Sequence, residues 1–234
     1  MTLGDELKTE VAKIFATHWK TRDGSTVPAP EDVGLGNDAV KFETATVLYA
    51  DLADSTGMVS GQTDYFAAEV YKSFLYSAAR IIRAEGGEIT AYDGDRIMAV
   101  FLGGMKNTSA ARAGLKINYA VTHIINPAIA AQYPQQAFRL KHVVGIDASA
   151  QFVARTGVRG DNDLVWVGRA ANYAAKLTTL PADYPTWITG SVYDALVPEL
   201  KVNGSPGRPM WEERTWTAMN NLRIFRSNWW WSVN

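Results

Sequence analysis

The stretch "ATVLYADLADSTGMVS", residues 45–60, carries an apolar run into Asp51 and then into a short polar turn that ends at Gly57. An apolar run bounded by turn residues predicts a buried strand. A carboxylate at the end of such a strand is costly to bury in its ionised form unless a positive group or a hydrogen-bond donor lies against it. Asp51 therefore predicts a metal ion, a basic partner or the cap of a helix.

Composition limits the classes of protein to consider. The chain has 234 residues, 47% of them hydrophobic, a formal net charge of -1 and no cysteine. The length favours one large domain with appendages, and the missing cysteines exclude thiol catalysis, a disulfide framework and Cys-rich metal sites. The balanced charge argues against nucleic acid as a partner. Because no run approaches the ~20 apolar residues of a membrane span, we expect a cytoplasmic protein without a membrane partner.

The first 38 residues are predicted to form a unit distinct from the rest. Leu7, Val11, Ile14 and Phe15 recur at helical spacing within residues 3–20, which predicts an amphipathic helix. Residues 21–38 are rich in Pro, Gly and Asp and are typical of a connector. We therefore divide the chain into an N-terminal helix and connector, 1–38, and a main domain, 39–234.

The main domain alternates predicted strands and helices. The order of these elements is strand, helix, two strands joined at "YDGD", helix and strand, which is the βαββαβ order of a ferredoxin-like core. The sequence thus predicts an α+β fold. The predicted elements are a strand over 42–51, a helix over 62–85, a hairpin over 88–103, a helix over 107–126, a strand over 140–154, a short strand over 164–168 and a helix over 169–179.

A second carboxylate is predicted to face Asp51. Asp95 lies in the hairpin, 44 positions later, and in a βαββ unit the first strand lies beside the hairpin strands. Two carboxylates a few ångström apart repel unless a hard cation such as Mg²⁺ or Mn²⁺ lies between them. Spacing alone leaves open the alternative that Asp51 caps the following helix and Asp95 is a turn residue.

Three blocks of sequence carry a family resemblance. "DLADSTGMVS", "GGEITAYDGDRIMAVF" and "VWVGRAANYAAKL" resemble, in order and separation, the signature blocks "F-x-D-[IL]-x-G-F-T", "K-x-x-G-D-x-x-M-A-x-F" and "G-x-x-V-N-x-A-A-R-L" of the class III nucleotidyl cyclases. The resemblance covers residues 42–190, most of the chain. It implies a cyclase catalytic domain that takes a nucleoside triphosphate as substrate.

The resemblance also implies how the phosphates and metals are held. Asp51 and Asp95 match the aspartates that bind two divalent ions, Mn²⁺ or Mg²⁺, with the backbone carbonyl of Leu52 joining one of them. Asp54, Ser55 and Thr56 match the turn whose backbone N–H groups hold the triphosphate. The family has Gly at the position of Asp54, and simple helix capping is the alternative role for these three residues.

Two residues of the late helix match catalytic positions of the family. Asn172 corresponds to the Asn that contacts the ribose, and Lys176 to the Arg that stabilises charge on the α-phosphate. Lys keeps the positive charge of Arg but loses its bidentate fork. In this family the hairpin and the late helix of one site come from different chains, so the resemblance implies a homodimer whose interface holds the site.

The residues that would recognise the base depart from the purine-specific patterns. Ala91 and Val165 occupy the positions at which adenylate and guanylate cyclases carry hydrogen-bonding side chains, and neither can form a side-chain hydrogen bond. Tyr49 stands where the family usually has Phe. This combination resembles the pyrimidine cyclases of the bacterial Pycsar anti-phage system, which implies cyclisation of UTP or CTP to produce a second messenger. A purine cyclase with atypical base contacts and a catalytically silent nucleotide-binding dimer remain alternatives.

Overall fold

The strand that contains Asp51 lies at the centre of a large sheet in the computed structural model, which describes residues 1–234. The strands are β1 Lys20–Asp23, β2 Asp38–Leu52, β3 Glu88–Asp93, β4 Arg96–Phe101, β5 His142–Val158, β6 Asp161–Val167, β7 Thr186–Thr189, β8 Val202–Asn203, β9 Arg208–Pro209, β10 Glu212–Trp216 and β11 Leu222–Ser227. The helices are α1 Leu3–Ala16, α2 Ser55–Gly61, α3 Asp64–Ala84, α4 Lys106–Ala120, α5 Asn126–Gln132, α6 Arg169–Leu177 and α7 Gly190–Asp194, with a π-helical segment Val121–Ile125 between α4 and α5.

The order of the strands confirms the predicted ferredoxin-like core. Four core strands lie side by side as β5-β2-β4-β3, and β2 is antiparallel to both of its neighbours. The sheet continues beyond β5 through β7, β11 and β10. Strand β6 folds back along the outer half of β5, so the two strands form a long arm, and the predicted turn at 155–163 is mostly strand. The predicted α+β class is therefore confirmed.

The two faces of β2 serve different purposes. Successive side chains of a strand point to opposite faces, and Leu48, Ala50 and Leu52 pack into the larger core beneath α3 and α4. Val47 and Tyr49 point to the other face, which packs against α6. The odd-numbered residues near the end of β2, Asp51 included, thus share the face on which α6 lies.

Helix α6 lies directly on the sheet because its inner face is made of small residues. Ala170, Ala171 and Ala174 are buried against the strands. A Cβ atom added at Gly145 of β5 would lie 2.2 Å from the backbone carbonyl oxygen of Ala174, so only glycine fits beneath the helix. This close contact fixes how near α6 approaches the end of β2.

The N-terminal segment has an exposed helix and adds a strand to the sheet. Helix α1 begins with a capping box formed by Thr2 and Asp5, has no buried residue and leaves its apolar stripe in solvent. The side-chain amide of Asn37 donates hydrogen bonds to the carbonyl groups of Ile14 and Thr17, which ties the end of α1 to the connector. Within the predicted connector, β1 pairs in parallel with the start of β2. None of the helices is long and apolar enough to span a membrane.

Candidate active site

Asp51 lies at the end of β2 with its side chain only 15% exposed. Its Oδ2 atom accepts hydrogen bonds from Arg96 Nη2 at 2.8 Å and Arg96 Nε at 3.2 Å, and from the Thr178 hydroxyl at 3.4 Å. Burial raises the pKa of Asp51, and the charge of Asp95 acts in the same direction, while the Arg96 guanidinium opposes both. The strand end therefore holds a carboxylate together with a basic partner.

Asp95 lies in the turn between β3 and β4, where Gly94 has a φ of 60°. The register pairs Asp51 with Arg96, so the two predicted metal ligands are brought to neighbouring strands at the same end of the sheet. Helix α2 begins after Asp54, and Thr63 caps α3, so Asp51 caps neither helix. Of the alternatives that the sequence left open for Asp51, a role as helix cap is thus not the one the structure shows.

The donor atoms at this end of the sheet fit a hard cation. Asp51 and Asp95 offer carboxylate oxygens, and Leu52, the last residue of β2, pairs with His142 and follows Asp51 directly. The chain has no cluster of three or more His, Cys, Asp or Glu side chains that could hold a metal. Such a site suits Mg²⁺ or Mn²⁺, since these ions are commonly bound by one or two carboxylates plus substrate phosphates and water.

The turn at Asp54 has an unusual backbone conformation. Asp54 has φ 57° and ψ 38°, the left-handed region, which explains why the cyclase pattern has Gly at this position. Asp is one of the few other residues that adopt this conformation readily. The Asp54 side chain makes no capping hydrogen bond, and the first bond of α2 runs from the Met58 N–H to the Asp54 carbonyl group. The amides of Ser55 and Thr56 precede that bond, in the place predicted to hold the triphosphate.

The predicted base-pocket residues separate into a pair and a single residue. Tyr49 and Ala91 both pair with Met98 of β4, one from each side. Tyr49 is partly buried, and burial raises the pKa of its hydroxyl. Val165 pairs with Ala154, which lies opposite Ala39, ten residues before Tyr49 along β2. The strand register therefore places Tyr49 and Ala91 near each other, on either side of Met98, and places Val165 elsewhere along the sheet.

Asn172 and Lys176 lie on the exposed face of α6. They are four residues apart and share one side of the helix, opposite the alanines that pack on the sheet. The only polar or sulfur contact of the Lys176 ammonium group is with the Met219 sulfur at 3.9 Å. The structure therefore does not bring these two residues to the carboxylates of their own chain.

Curated relatives match the chain from end to end. It is 55% identical over 235 residues to a uridylate cyclase of Xanthomonas perforans and 53% identical over 234 residues to one of Burkholderia cepacia, with full coverage of both chains in each case. A uridylate cyclase of Rhodovulum sp. is 39% identical with 98% of each chain covered. The chain belongs to the uridylate cyclase family. None of the protein-family models matches it.

Solved structures place this cyclase family member within the class III fold. The adenylyl cyclase CyaB from P. aeruginosa superposes with a TM-score of 0.65 at 17% identity, covering 81% of this chain and 95% of the other. The guanylyl cyclase Cya2 gives a TM-score of 0.65 at 17% identity, covering 79% and 90%. The predicted class III nucleotidyl cyclase is confirmed, both as a family and as an enzyme class.

Arg96 is a residue of the candidate site that the sequence did not predict. Arg96 binds Asp51, and its guanidinium lies 5.9 Å from the centre of the Tyr49 ring, between the predicted metal and base positions. Burial acts to lower the pKa of Arg96, but the carboxylates of Asp51, Asp93 and Asp95 outweigh it and the pKa is raised. The sequence feature that could have indicated Arg96 is its position directly after Asp95. The cyclase pattern specifies no residue type at that position.

Proposed function

We propose that this cyclase converts UTP, or CTP as the second pyrimidine substrate, to the 3′,5′-cyclic monophosphate and pyrophosphate at sites shared by two copies of the chain. The product is a second messenger, and the resemblance to Pycsar enzymes suggests that it serves anti-phage defence. The observation that supports the proposal is the strand register, which brings Asp51 and Asp95 to the same end of the sheet as the neighbouring pair Tyr49 and Ala91. The names of the full-length relatives support UTP over CTP.

Asp51, Asp95 and the Leu52 carbonyl group would hold the divalent ions. These ions supply Lewis-acid stabilisation of the phosphates and lower the pKa of the ribose 3′-OH when bound. Arg96, which binds Asp51 in the structure, would remain close enough to balance the charge of the two carboxylates. The Ser55 and Thr56 amides, with that of Asp54, bind the triphosphate oxygens.

The other half of each site comes from the partner copy. Asn172 and Lys176 face away from the sheet of their own chain, so they can reach a substrate only where a second molecule presents its strand end. Asn172 orients the ribose, which aligns the 3′-OH with the α-phosphorus. Lys176 places its positive charge where negative charge develops on the α-phosphate in the transition state. A monomer would contain both halves but no complete site.

The base pocket favours a pyrimidine because it offers no purine-specific contacts. The Ala91 side chain cannot donate or accept a hydrogen bond. The same is true of Val165, which would come from the partner copy together with α6. Tyr49 adds a hydroxyl group where a Phe would leave space. A pocket of this kind would exclude purines by its size and by the single polar contact that Tyr49 provides. It would not depend on hydrogen bonds to the edge of a purine base.

A competition among nucleotides tests the proposal. Purified protein is incubated with Mn²⁺ and an equimolar mixture of ATP, GTP, CTP and UTP, and cyclic products are quantified by chromatography and mass spectrometry. We expect cyclic UMP to exceed each purine product by at least about 100-fold, the discrimination typical of a pocket that rejects by shape. The Asp51→Asn variant provides the blank. A dominant cyclic AMP or cyclic GMP peak would indicate a purine cyclase, and no product from any nucleotide would indicate a silent dimer.

A further inference from the structure

Asp147 is a fully buried carboxylate that no step of the proposed reaction uses. It lies on β5, and its side chain is 0% exposed. Arg169 Nε donates to Asp147 Oδ2 at 3.0 Å and Arg169 Nη2 donates to Oδ1 at 3.1 Å, a two-pronged pairing. The hydroxyls of Thr189 at 2.6 Å and Ser191 at 3.4 Å donate to Oδ1 as well. Its charge is thus compensated from two directions, by Arg169 of α6 and by the hydroxyls where β7 meets α7.

Arg169 is the first residue of α6, the helix that carries Asn172 and Lys176. Positions i, i+3 and i+7 of a helix lie along one stripe, so Arg169 begins the stripe that holds both of those residues, and its side chain turns from there towards β5. Its Nη2 atom also donates to the Ala148 carbonyl group at 2.8 Å. The guanidinium therefore ties one end of the functional side of α6 to the backbone and to a buried anion of β5.

The remaining polar contacts at the start of α6 also lead to β5. Gly168 precedes the helix and has no side chain to cap it. The Ala170 N–H instead donates to the Ser149 hydroxyl at 2.9 Å, and Gln151 Nε2 donates to the same hydroxyl at 3.0 Å. A Cβ atom at Gly168 would lie 2.3 Å from Gln151 Nε2, so the chain enters the helix in close contact with the strand. The helix start is fixed by β5 and not by its own cap.

We propose that Asp147 and Arg169 are positioning residues for cyclisation, which hold α6 at the rotation and depth at which Asn172 and Lys176 meet the substrate bound by the partner copy. This inference rests on the proposed function, because it assigns those two residues to the reaction. A shift of about 1 Å in a catalytic group can lower a rate by about 100-fold. A two-pronged bond at the helix start restrains such shifts better than a single contact because it fixes both distance and orientation.

Three variants test the pair. Asp147→Asn keeps the shape of the side chain and its contacts with the hydroxyl groups but removes the negative charge. Arg169→Lys keeps the positive charge but cannot form the two-pronged bond. Arg169→Ala removes both the positive charge and the two-pronged bond. We expect kcat to fall by about 10-fold to 100-fold for Asp147→Asn and Arg169→Ala, with a smaller change in KM for UTP, and Arg169→Lys to retain an intermediate rate. Asp147 is fully buried, so its effect on kcat must act through Arg169 and α6.

A double-mutant cycle with Lys176→Ala separates positioning from general loss of structure. If Arg169 acts by placing Asn172 and Lys176, Arg169→Ala should lower kcat by a clearly smaller factor in the Lys176→Ala background than in the wild type, because one of the two positioned groups is already gone. Losses that multiply in full would contradict the inference. An unchanged kcat in Asp147→Asn, with only Arg169→Ala impaired, would also contradict it and would indicate that Arg169 contacts substrate directly.

Arg112→Ala is the matched control. Arg112 lies on α4, which packs on the opposite face of the sheet from α6, and it pairs at 3.2 Å with Glu85, whose side chain is 7% exposed. We expect it to lower the melting temperature without lowering kcat. Should Arg169→Ala fail to fold, Asp147→Asn and Arg169→Lys, with folding checked by circular dichroism, decide the question. Failure of the proposed function would appear separately, as a wild-type protein that forms no cyclic nucleotide.

Discussion

The end of β2 and the outer side of α6 carry the two sets of residues to which we assign a function, and they differ in how far their own chain balances their charge and hydrogen bonds. At the end of β2, Asp51 is mostly buried and bonded to Arg96 and Thr178. On α6, Asn172 and Lys176 are exposed, and the Lys176 ammonium touches only a sulfur atom. The charge of Asp51 is thus balanced within the monomer, whereas the side chains of Asn172 and Lys176 point into solvent.

This difference teaches how the site is divided. Helix α6 cannot be turned around to face its own sheet, because its inner side is a row of alanines pressed onto Gly145. Under the proposed function, its polar side would act on the substrate bound by a partner copy. The strand end, in contrast, has Arg96 as its basic side chain, and Arg96 is already bonded to Asp51. The two regions are complementary, which is the property expected of two halves brought together by a two-fold axis.

The largest expected effect comes from the strand end. Asp51→Asn should lower kcat by at least about 1,000-fold, because it removes a charged metal ligand and leaves Arg96 partly buried without its carboxylate. Steady-state assays with UTP measure the rate, and light scattering shows whether the dimer persists. Asp93→Asn, on an exposed residue of the same hairpin, is the control and should retain at least about a third of the activity. Near-normal turnover by Asp51→Asn would remove the metal assignment.

The next experiment tests directly whether the strand end and α6 of one site come from different subunits. Asp51→Asn and Lys176→Ala subunits, each inactive alone, are co-expressed with different tags. A mixed dimer has one site with both defects and one intact site, so random pairing should restore about a quarter of the wild-type activity. Mixing Asp51→Asn with Asp95→Asn is the control and should restore nothing, because both changes fall in the same half. Recovery in neither mixture would mean that each chain builds its own site.

A smaller effect is expected on the helix side. Lys176→Arg should change kcat by no more than about tenfold in either direction, because the charge is kept and only the donor geometry changes. Lys176→Met, of similar length but neutral, should lower kcat by at least about 100-fold with little change in KM. Equal kcat values for the two variants would show that the charge at 176 plays no part in the transition state.

The smallest effect on activity, but a clear one on stability, concerns His142 beneath the strand end. Its ring is buried beside Phe74 and opposite Leu52, and burial lowers its pKa to about 3. The unfolded chain takes up a proton near pH 6.5 and the folded chain does not, so the free energy of unfolding should fall from pH 6.5 towards pH 3, by up to about 1.4 kcal/mol per pH unit.

Urea unfolding of the wild type and of His142→Gln at several pH values measures this contribution. The variant should lose part of the slope, whereas His18→Gln, on an exposed residue, should keep it. Identical slopes in wild type and His142→Gln would show that His142 is protonated or solvated in the folded protein.

The core of the fold was predictable because its signals are local. The apolar run before Asp51, the turn "YDGD" and the helical spacing of the later segments predict the βαββαβ order, and only one arrangement of those strands gives a ferredoxin-like sheet. Strand β1 was missed because its sequence, Lys20–Asp23, is polar and fully exposed, and it pairs only through backbone groups. The length of the β5–β6 arm was missed because Gly157 and Gly160 resemble an ordinary turn.

The site was predictable in its residue types but not in its contacts. The spacing of Asn172 and Lys176 shows that they share a side of a helix, yet no spacing shows which side faces the sheet. The bond between Arg96 and Asp51 depends on a strand register set by residues far along the chain. The burial of Asp147 within an apolar strand becomes interpretable only once Arg169 is seen against it.

The bond between Arg96 and Asp51 has a consequence for how the protein is made and kept. Because Arg96 balances the charge of Asp51 within the chain, we expect the fold to persist when no metal is bound. A chelator should therefore silence the enzyme without melting it, and returning Mn²⁺ should restart it at once. Ion supply would then control the rate of cyclisation and leave the fold unchanged.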